Sequence, residues 1–235
     1  MRLLSNTKQM KLGVLFSGGK DSTLALQTAA EHEEVVCLIT LVSRNKESYM
    51  FHTPNIDLTK LQAEALGIPI IMKITEGKKE EELKDLWLAI LEATSKFHVE
   101  GVVTGAVDSV YQSSRIQHIC HSLDIWCFNP LWKRNQKALL EELIAKKFKV
   151  LISGVFAYPL DSSWLGKEID SGVVAKLVEL EKKFGISPSG EGGEIETTVL
   201  DAPMFKKSVQ VADCETDWKG DSGVFRIKKA RLVPK

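Results

Sequence analysis

Residues 11–22 read Lys-Leu-Gly-Val-Leu-Phe-Ser-Gly-Gly-Lys-Asp-Ser, an apolar run that breaks into Ser17-Gly18-Gly19-Lys20-Asp21-Ser22. Lys11–Phe16 predicts a buried strand, and the stretch from Ser22 to about His32 predicts a helix directly after it. Two glycines at that junction let the backbone turn tightly, so that successive N–H groups point into one concavity. The positive end of the helix dipole adds to the same spot, and the junction is expected to bind phosphate. Lys20 supplies a point charge for phosphate oxygens, and Asp21 could hold a magnesium ion. A Walker A loop needs Ser or Thr after the lysine, where Asp21 stands, and GxGxxG is absent. The bland alternative is a Gly-Gly turn with a serine cap.

Outward from this junction, short apolar runs alternate with helical patterns. Strands are expected at 35–41, 68–74, 101–104, 125–128 and 150–153. Helices are expected from Thr53-Pro54 to about Gly67, at 79–98, at 109–123 and at 136–146. Unbroken β-branched strands separated by helices indicate a parallel sheet covered on both faces. After Ser153 the rhythm changes. A small-residue loop fills 154–163, a helix 171–184, and 185–197 is too glycine-rich to be regular. Alternation at 208–211 and at 224–227, with Thr216–Ser222 between, suggests an antiparallel hairpin. The expected fold is α/β, a doubly wound parallel sheet with a smaller C-terminal α+β domain, divided into 1–125 and 126–235.

The 235 residues carry 31 basic and 31 acidic side chains, so no global field attracts nucleic acid. Cysteines stand at Cys37, Cys120, Cys127 and Cys214 with no CxxC pair, which argues against a zinc ribbon, a thioredoxin-type site or a disulfide scaffold. Met1–Lys11 has three basic residues without the apolar core of a signal peptide, and Val35–Val42 is too short to cross a bilayer. A cytoplasmic protein away from membranes is expected.

Near the other end, Glu191-Gly192-Gly193-Glu194-Ile195-Glu196-Thr197 places three acids on a glycine-rich loop. Such a loop could bind ammonium, deprotonate it or ligate magnesium; a solvated acidic turn is the plain alternative. Tyr111, Gln112 and Arg115 fall at helical spacing after the fourth strand, where a parallel sheet opens its ligand crevice, although a lone arginine is more often a surface residue. His52 follows the second strand, where a base would lie, or serves only as a helix-entry contact. Trp132 beside Pro130 reads as a packing anchor. His118 and His121 share a helical face, but Cys120 does not join them and no fourth ligand is near, so no zinc site is expected.

Ser17–Ser22 at a strand-to-helix junction resembles the PP-loop of the N-type ATP pyrophosphatases, whose fold is that of the adenine nucleotide alpha hydrolases. In that superfamily the loop grips departing pyrophosphate. The chain also carries residues 50–55 (MFHTPN), Gly105-Ala106-Val107, residues 111–115 (YQSSR), Pro130-Leu131-Trp132 and residues 191–197 (EGGEIET). In that order, from about Lys11 to Val211, the set resembles the diphthine–ammonia ligase family. The resemblance implies ATP-dependent amidation, with ammonium, of diphthine on translation elongation factor 2, through an acyl-adenylate and with release of AMP and pyrophosphate. It implies ATP contacts at Ser17, Gly18, Gly19, Lys20, Asp21, Ser22 and Gly105, and magnesium at Asp21. Lys20, Asp21, Glu191 and Glu194 would be catalytic, and His52, Tyr111, Gln112, Arg115, Trp132, Glu196 and Thr197 would meet the acceptor. The family's pattern tends to place a second arginine shortly after the first; here Ser113 and Ser114 precede Arg115, and Gln117 stands two positions after it.

Two other readings compete. A tRNA-thiolating relative would need a reactive cysteine pair or CxxC sets and a basic face, and this chain has neither in its sequence. A nucleotide-sensing module without turnover leaves the acidic loop unexplained. The C-terminal hairpin would also offer an edge for a homodimer.

Overall fold

A computed structural model describes residues 8–45, 54–78 and 80–235. Five strands, β1 (Lys11–Leu15), β2 (Glu34–Ser43), β3 (Ile70–Thr75), β4 (Gly101–Val103) and β5 (Trp126–Phe128), form one sheet in the order β3-β2-β1-β4-β5. Every pairing in it is parallel. The chain therefore runs outward from β1 to β3, then returns to lay β4 on the other side of β1. The carboxyl ends of β1 and β4 flank the point where strand order reverses, which is where open α/β sheets bind ligands.

Helices α1 (Lys20–Ala30) and α2 (Thr59–Leu66) cover one face of this sheet, while α3 (Glu81–Phe97) and α4 (Val110–Ser122) cover the other. Leu12 and Val14 of β1 point towards α1 and α2; Ile39 and Leu41 of β2 pack with Leu86 and Ile90 of α3. Both patterns follow from strands buried on two faces. The Ser109 side chain caps α4 by accepting from the Gln112 N–H at 3.3 Å. Thr53 lies outside the described residues. The helix expected from Thr53-Pro54 is delayed by a 3-10 turn at Ile56–Leu58 that follows Asn55, whose φ is 62°. It still ends at Gly67, which takes a φ of 70° that L side chains rarely adopt.

The remaining α-helices and β-strands are α5 (Gln136–Ala145), β6 (Lys149–Val155), α6 (Ser171–Phe184), β7 (Ile195–Asp201), β8 (Ser208–Lys219) and β9 (Ser222–Val233), with a 3-10 turn at Ser162–Trp164 between β6 and α6. They build a second, antiparallel sheet in the order β7-β6-β9-β8. The hairpin is longer than its expected alternating cores. Thr216–Lys219 belongs to β8 rather than to a connection, leaving Gly220 and Asp221 as the turn. Charged, exposed side chains along β8 hid the strand, since only one in two needs to be apolar and few are buried. Similarly β6 runs two residues past Ser153, and β7 starts at Ile195 inside the stretch expected to be irregular.

β5 pairs with β4, so the parallel sheet extends beyond residue 125. We propose that the divide between the two units falls in the segment 129–135 rather than at 125/126. The units share one hydrophobic core. Leu24 and Leu26 of α1 and Leu66 of α2 belong to the same buried cluster as Ile152 of β6 and Val199 of β7. The α1–α2 layer is thus enclosed between the two sheets.

Candidate functional site

The loop between β1 and α1 is built from its own polar groups. Ser22 Oγ donates to the Gly19 carbonyl at 3.2 Å and accepts from the Ser17 N–H at 3.3 Å; Thr23 Oγ1 donates to the same carbonyl at 2.8 Å. Gly18 has a φ of 76°, and a Cβ there would lie 2.1 Å from Gln62 Oε1, so only glycine fits. Gln62 of α2 donates through Nε2 to the carbonyls of Gly18 at 2.9 Å and Val199 at 2.7 Å. The Val199 N–H also donates to the Gly18 carbonyl, at 2.9 Å. The acidic strand β7 is thereby stitched to the loop at the other end of the chain. Thr197 Oγ1 accepts from the Lys20 N–H at 3.1 Å. Gly105, just beyond β4, closes the opposite side: a Cβ there would meet Ser22 N at 2.7 Å.

A cavity of about 240 Å³ opens at this junction. Ser17, Asp21, Ser22, Gly105, Glu191 and Glu196 form its polar side, and Ile39, Leu41, Ile56, Leu86 and Ile116 form an apolar wall. The ammonium of Lys20 is buried and lies 2.6 Å from Asp21 Oδ2. Burial acts to lower the Lys20 pKa, but the surrounding charges of Asp21, Glu191 and Glu196 outweigh it and hold the value above the ordinary one. Burial pushes Glu191 up to about 7, with Asp21 adding to the rise and Lys20 opposing it. Glu196 is also pushed up to about 7 by burial, against the pull of Lys20 and with the repulsion of Asp21 and Glu191. Two carboxyls that titrate near neutrality can take up or release a proton under working conditions, as a general acid or base must.

The acidic loop has its own supports. Glu194 accepts from the Ser187 N–H at 2.8 Å and from the Gly192 N–H at 2.9 Å, so its two carboxylate oxygens brace the loop. Glu194 is not among the residues lining the cavity; Glu196 stands there beside Glu191. Ser187 Oγ accepts from the Glu191 N–H at 2.9 Å. Ser187 and Ser189 in turn donate to Gln136, the first residue of α5.

Of the other expected contacts, Gln112 lines the cavity. Tyr111 and Arg115 stack on each other, with the guanidinium carbon 3.6 Å from the ring centroid, and Arg115 donates to Glu80 Oε1 at 3.0 Å. Neither lines the cavity, and neither does half-buried Trp132, whose ring lies 5.5 Å from the Lys133 ammonium. His52 is outside the described residues. Among the described residues no group of three or more His, Cys, Asp or Glu forms a metal cluster. Gln62 and Gln136 were not singled out from the sequence, because a polar residue inside a helix carries no periodic signal.

The match to known proteins covers both units. The family model described as the diphthamide synthase N-terminal domain matches residues 10–126, and that of the diphthamide synthase C-terminal domain matches residues 135–233. The chain belongs to the diphthamide synthase family. Among its relatives in this family, a diphthine–ammonia ligase of Mus musculus is 36% identical over 226 residues, which span 88% of this chain and 84% of the relative. That of Homo sapiens is 34% identical with the same coverage. A relative in Schizosaccharomyces pombe, also a diphthine–ammonia ligase, is 33% identical over 95% of this chain and 40% of its own length. A solved structure from Methanocaldococcus jannaschii, described as a predicted subunit of tRNA methyltransferase, aligns with a TM-score of 0.45 at 20% identity, over 83% of this chain and 98% of that one.

Proposed function

We propose that this protein is an ATP-dependent ligase that amidates diphthine on translation elongation factor 2 with ammonium, giving diphthamide, AMP and pyrophosphate. The observation that carries the reading is the meeting of two chain ends at one cavity: a phosphate-type loop on α1 and two near-neutral carboxyls, Glu191 and Glu196, facing it. The curated relatives named diphthine–ammonia ligase support the same activity.

A carboxylate resists attack because its charge repels the nucleophile and oxide is a poor leaving group. Adenylation removes both obstacles by splitting one hard step into two easier ones. In this reading Ser17, Asp21 and Ser22, where the loop lines the cavity, would meet the phosphates at the positive end of α1, and the Lys20 ammonium beside Asp21 would offset charge as pyrophosphate departs. The apolar wall of Ile39, Leu41 and Ile116 would seat the adenine. Glu191 or Glu196 would take a proton from ammonium, since ammonia is the nucleophile and ammonium is not. Gln112 at the rim would contact the acceptor. The carboxylate of Asp21 lines the cavity at the phosphate-type loop, and magnesium needs only one or two carboxylates beside substrate phosphates. Asp21 would hold it, and the ion would supply charge neutralisation for the triphosphate.

A thiolating activity finds less support, because none of the four cysteines lines the cavity among the described residues. No helix of the described residues is long and apolar enough to cross a membrane, and a cytoplasmic site of action follows from the acceptor's place in translation. The edge strand β8 would be the face for a homodimer. The test is to incubate the protein with ATP, ammonium and diphthine-bearing elongation factor. Pyrophosphate should appear together with amide on the modified peptide, read by mass spectrometry; ATP turnover without amide in the presence of that acceptor would reject it.

A further inference from the structure

We propose that Gln136 is a positioning residue for Glu191, acting through the hydroxyl of Ser187. Gln136 Oε1 accepts three hydrogen bonds from the acidic loop: from Ser187 Oγ at 2.5 Å, Ser189 Oγ at 2.9 Å and the Ser189 N–H at 3.2 Å. Ser187 Oγ donates its proton to Gln136 and therefore presents a lone pair to the Glu191 N–H, which reaches it at 2.9 Å. The chain of contacts has one polarity, because each hydroxyl has a single proton to give.

Its anchor is rigid. Gln136 opens α5, whose start is capped by Asn135 Oδ1 accepting from the Ala138 N–H at 2.9 Å. Leu139, Leu140 and Leu143 fix the helix in the core. A loop with Gly190, Gly192 and Gly193 has little stiffness of its own, and two of these glycines, Gly190 and Gly193, take φ values of 80° and 84°. Backbone amides braced by Glu194 hold one side of that loop, and Gln136 holds the other. Between these supports Glu191 projects into the cavity towards Lys20 and Asp21 of α1 and Glu196 of β7. Catalytic groups need placement within a fraction of an ångström, which such double bracing provides.

This inference takes the chemical role of Glu191 from the function proposed above, so the experiment includes a readout independent of it. Gln136→Met keeps the shape of the side chain and removes the acceptor; Gln136→Glu keeps an acceptor oxygen. The Met variant should lower kcat for amide formation by about 10- to 100-fold while KM for ATP stays unchanged. The Glu variant should recover to within about threefold of wild type if the acceptor oxygen is what matters. Hydrogen exchange at the Glu191 amide should quicken in the Met variant alone. A Met variant with wild-type kcat and a lowered Tm would make Gln136 merely structural, and a Glu variant as slow as the Met variant would remove the acceptor from the argument. Should Gln136→Met fail to fold, Ser187→Ala breaks the same relay and must show the same loss. If the wild-type protein forms no amide, the proposed function fails, and unchanged exchange at Glu191 in the Met variant would overturn the positioning role separately.

Discussion

The backbone N–H of Lys20 donates to Thr197 Oγ1 at 3.1 Å, across 177 positions of sequence. The first N–H groups of a helix have no partner within it. Here one of them is taken by a strand of the second sheet, which fixes where α1 begins relative to β7. The residue before Thr197 is Glu196, so the same contact sets a carboxyl against the phosphate-type loop. Thr197→Val keeps the volume and removes the acceptor inside a buried site. It should cost about 1–3 kcal/mol and lower Tm by about 2–4 °C per kcal/mol. KM for ATP should rise with it, while Thr197→Ser remains close to wild type. Equal Tm and KM in the Val variant would show that the contact is incidental.

Lys20→Ala should slow pyrophosphate release far more than it weakens nucleotide binding. A charge that matters most as pyrophosphate departs contributes mainly to the transition state. Single-turnover release measured beside nucleotide affinity separates the two, and an unchanged rate constant would remove Lys20 from the step.

The three glutamates should not behave alike. Glu191→Gln and Glu196→Gln should leave adenylation largely intact and reduce amide formation by about 100-fold or more, the usual worth of an acid–base group. Pyrophosphate then outruns amide as the stalled intermediate hydrolyses. Glu194→Gln loses the acceptor of one backbone N–H and should depress both products together, with a lower Tm. A Glu194 variant that separates the products as the other two do would return it to the ammonia step.

The raised carboxyls make stability depend on pH. Glu191 and Glu196 have folded values of about 7 against an ordinary 4.5, so the folded protein binds more protons than the unfolded chain between those limits. Their contribution to stability is fully present below the ordinary value and is lost as pH rises through about 7. The protein without nucleotide or metal should therefore melt at a lower temperature at pH 8 than at pH 5.5, other groups being equal, and Glu196→Gln should flatten that slope. Calorimetry across this range decides it; a variant with the wild-type slope would mean that Glu196 is already charged.

Gly105→Ala tests the close approach at the strand reversal. The added Cβ would meet backbone atoms, Ser22 N at 2.7 Å and the Asp21 carbonyl carbon at 2.8 Å, rather than a side chain that can swing away. The start of α1 must shift, so KM for ATP should rise at least about tenfold. Unaltered ATP kinetics would place the nucleotide elsewhere.

The parallel sheet was legible because its strands are buried on both faces and read as apolar runs, as in Val35–Ile39. The loop at 17–22 was legible because glycine, lysine and a helix start coincide. β8 was harder. Its Asp213, Glu215 and Asp217 face water on an edge strand, so the residues that form it resemble a loop. In the site, the residues at 191–197 could be assembled as a motif, but not which carboxylate turns inward. That depends on the N–H groups of Ser187 and Gly192 capturing Glu194, a matter of loop conformation that composition does not encode. Gln62 and Gln136 escaped notice for a related reason: their partners are backbone and hydroxyl groups far away in sequence.

The enclosure of α1 and α2 between the two sheets has a consequence for synthesis on the ribosome. When β5 has emerged, the five parallel strands can pair, yet the outward faces of α1 and α2 still lack the partners that Ile152, Val199 and Val209 will provide. Roughly 80 residues separate the two events, about 4–16 s of elongation at ordinary speeds. Through that interval the nascent chain displays an apolar surface with no sheet to cover it. An N-terminal fragment cut after residue 128 would keep that surface permanently and should precipitate or bind chaperones, while the intact chain outgrows the hazard on its own.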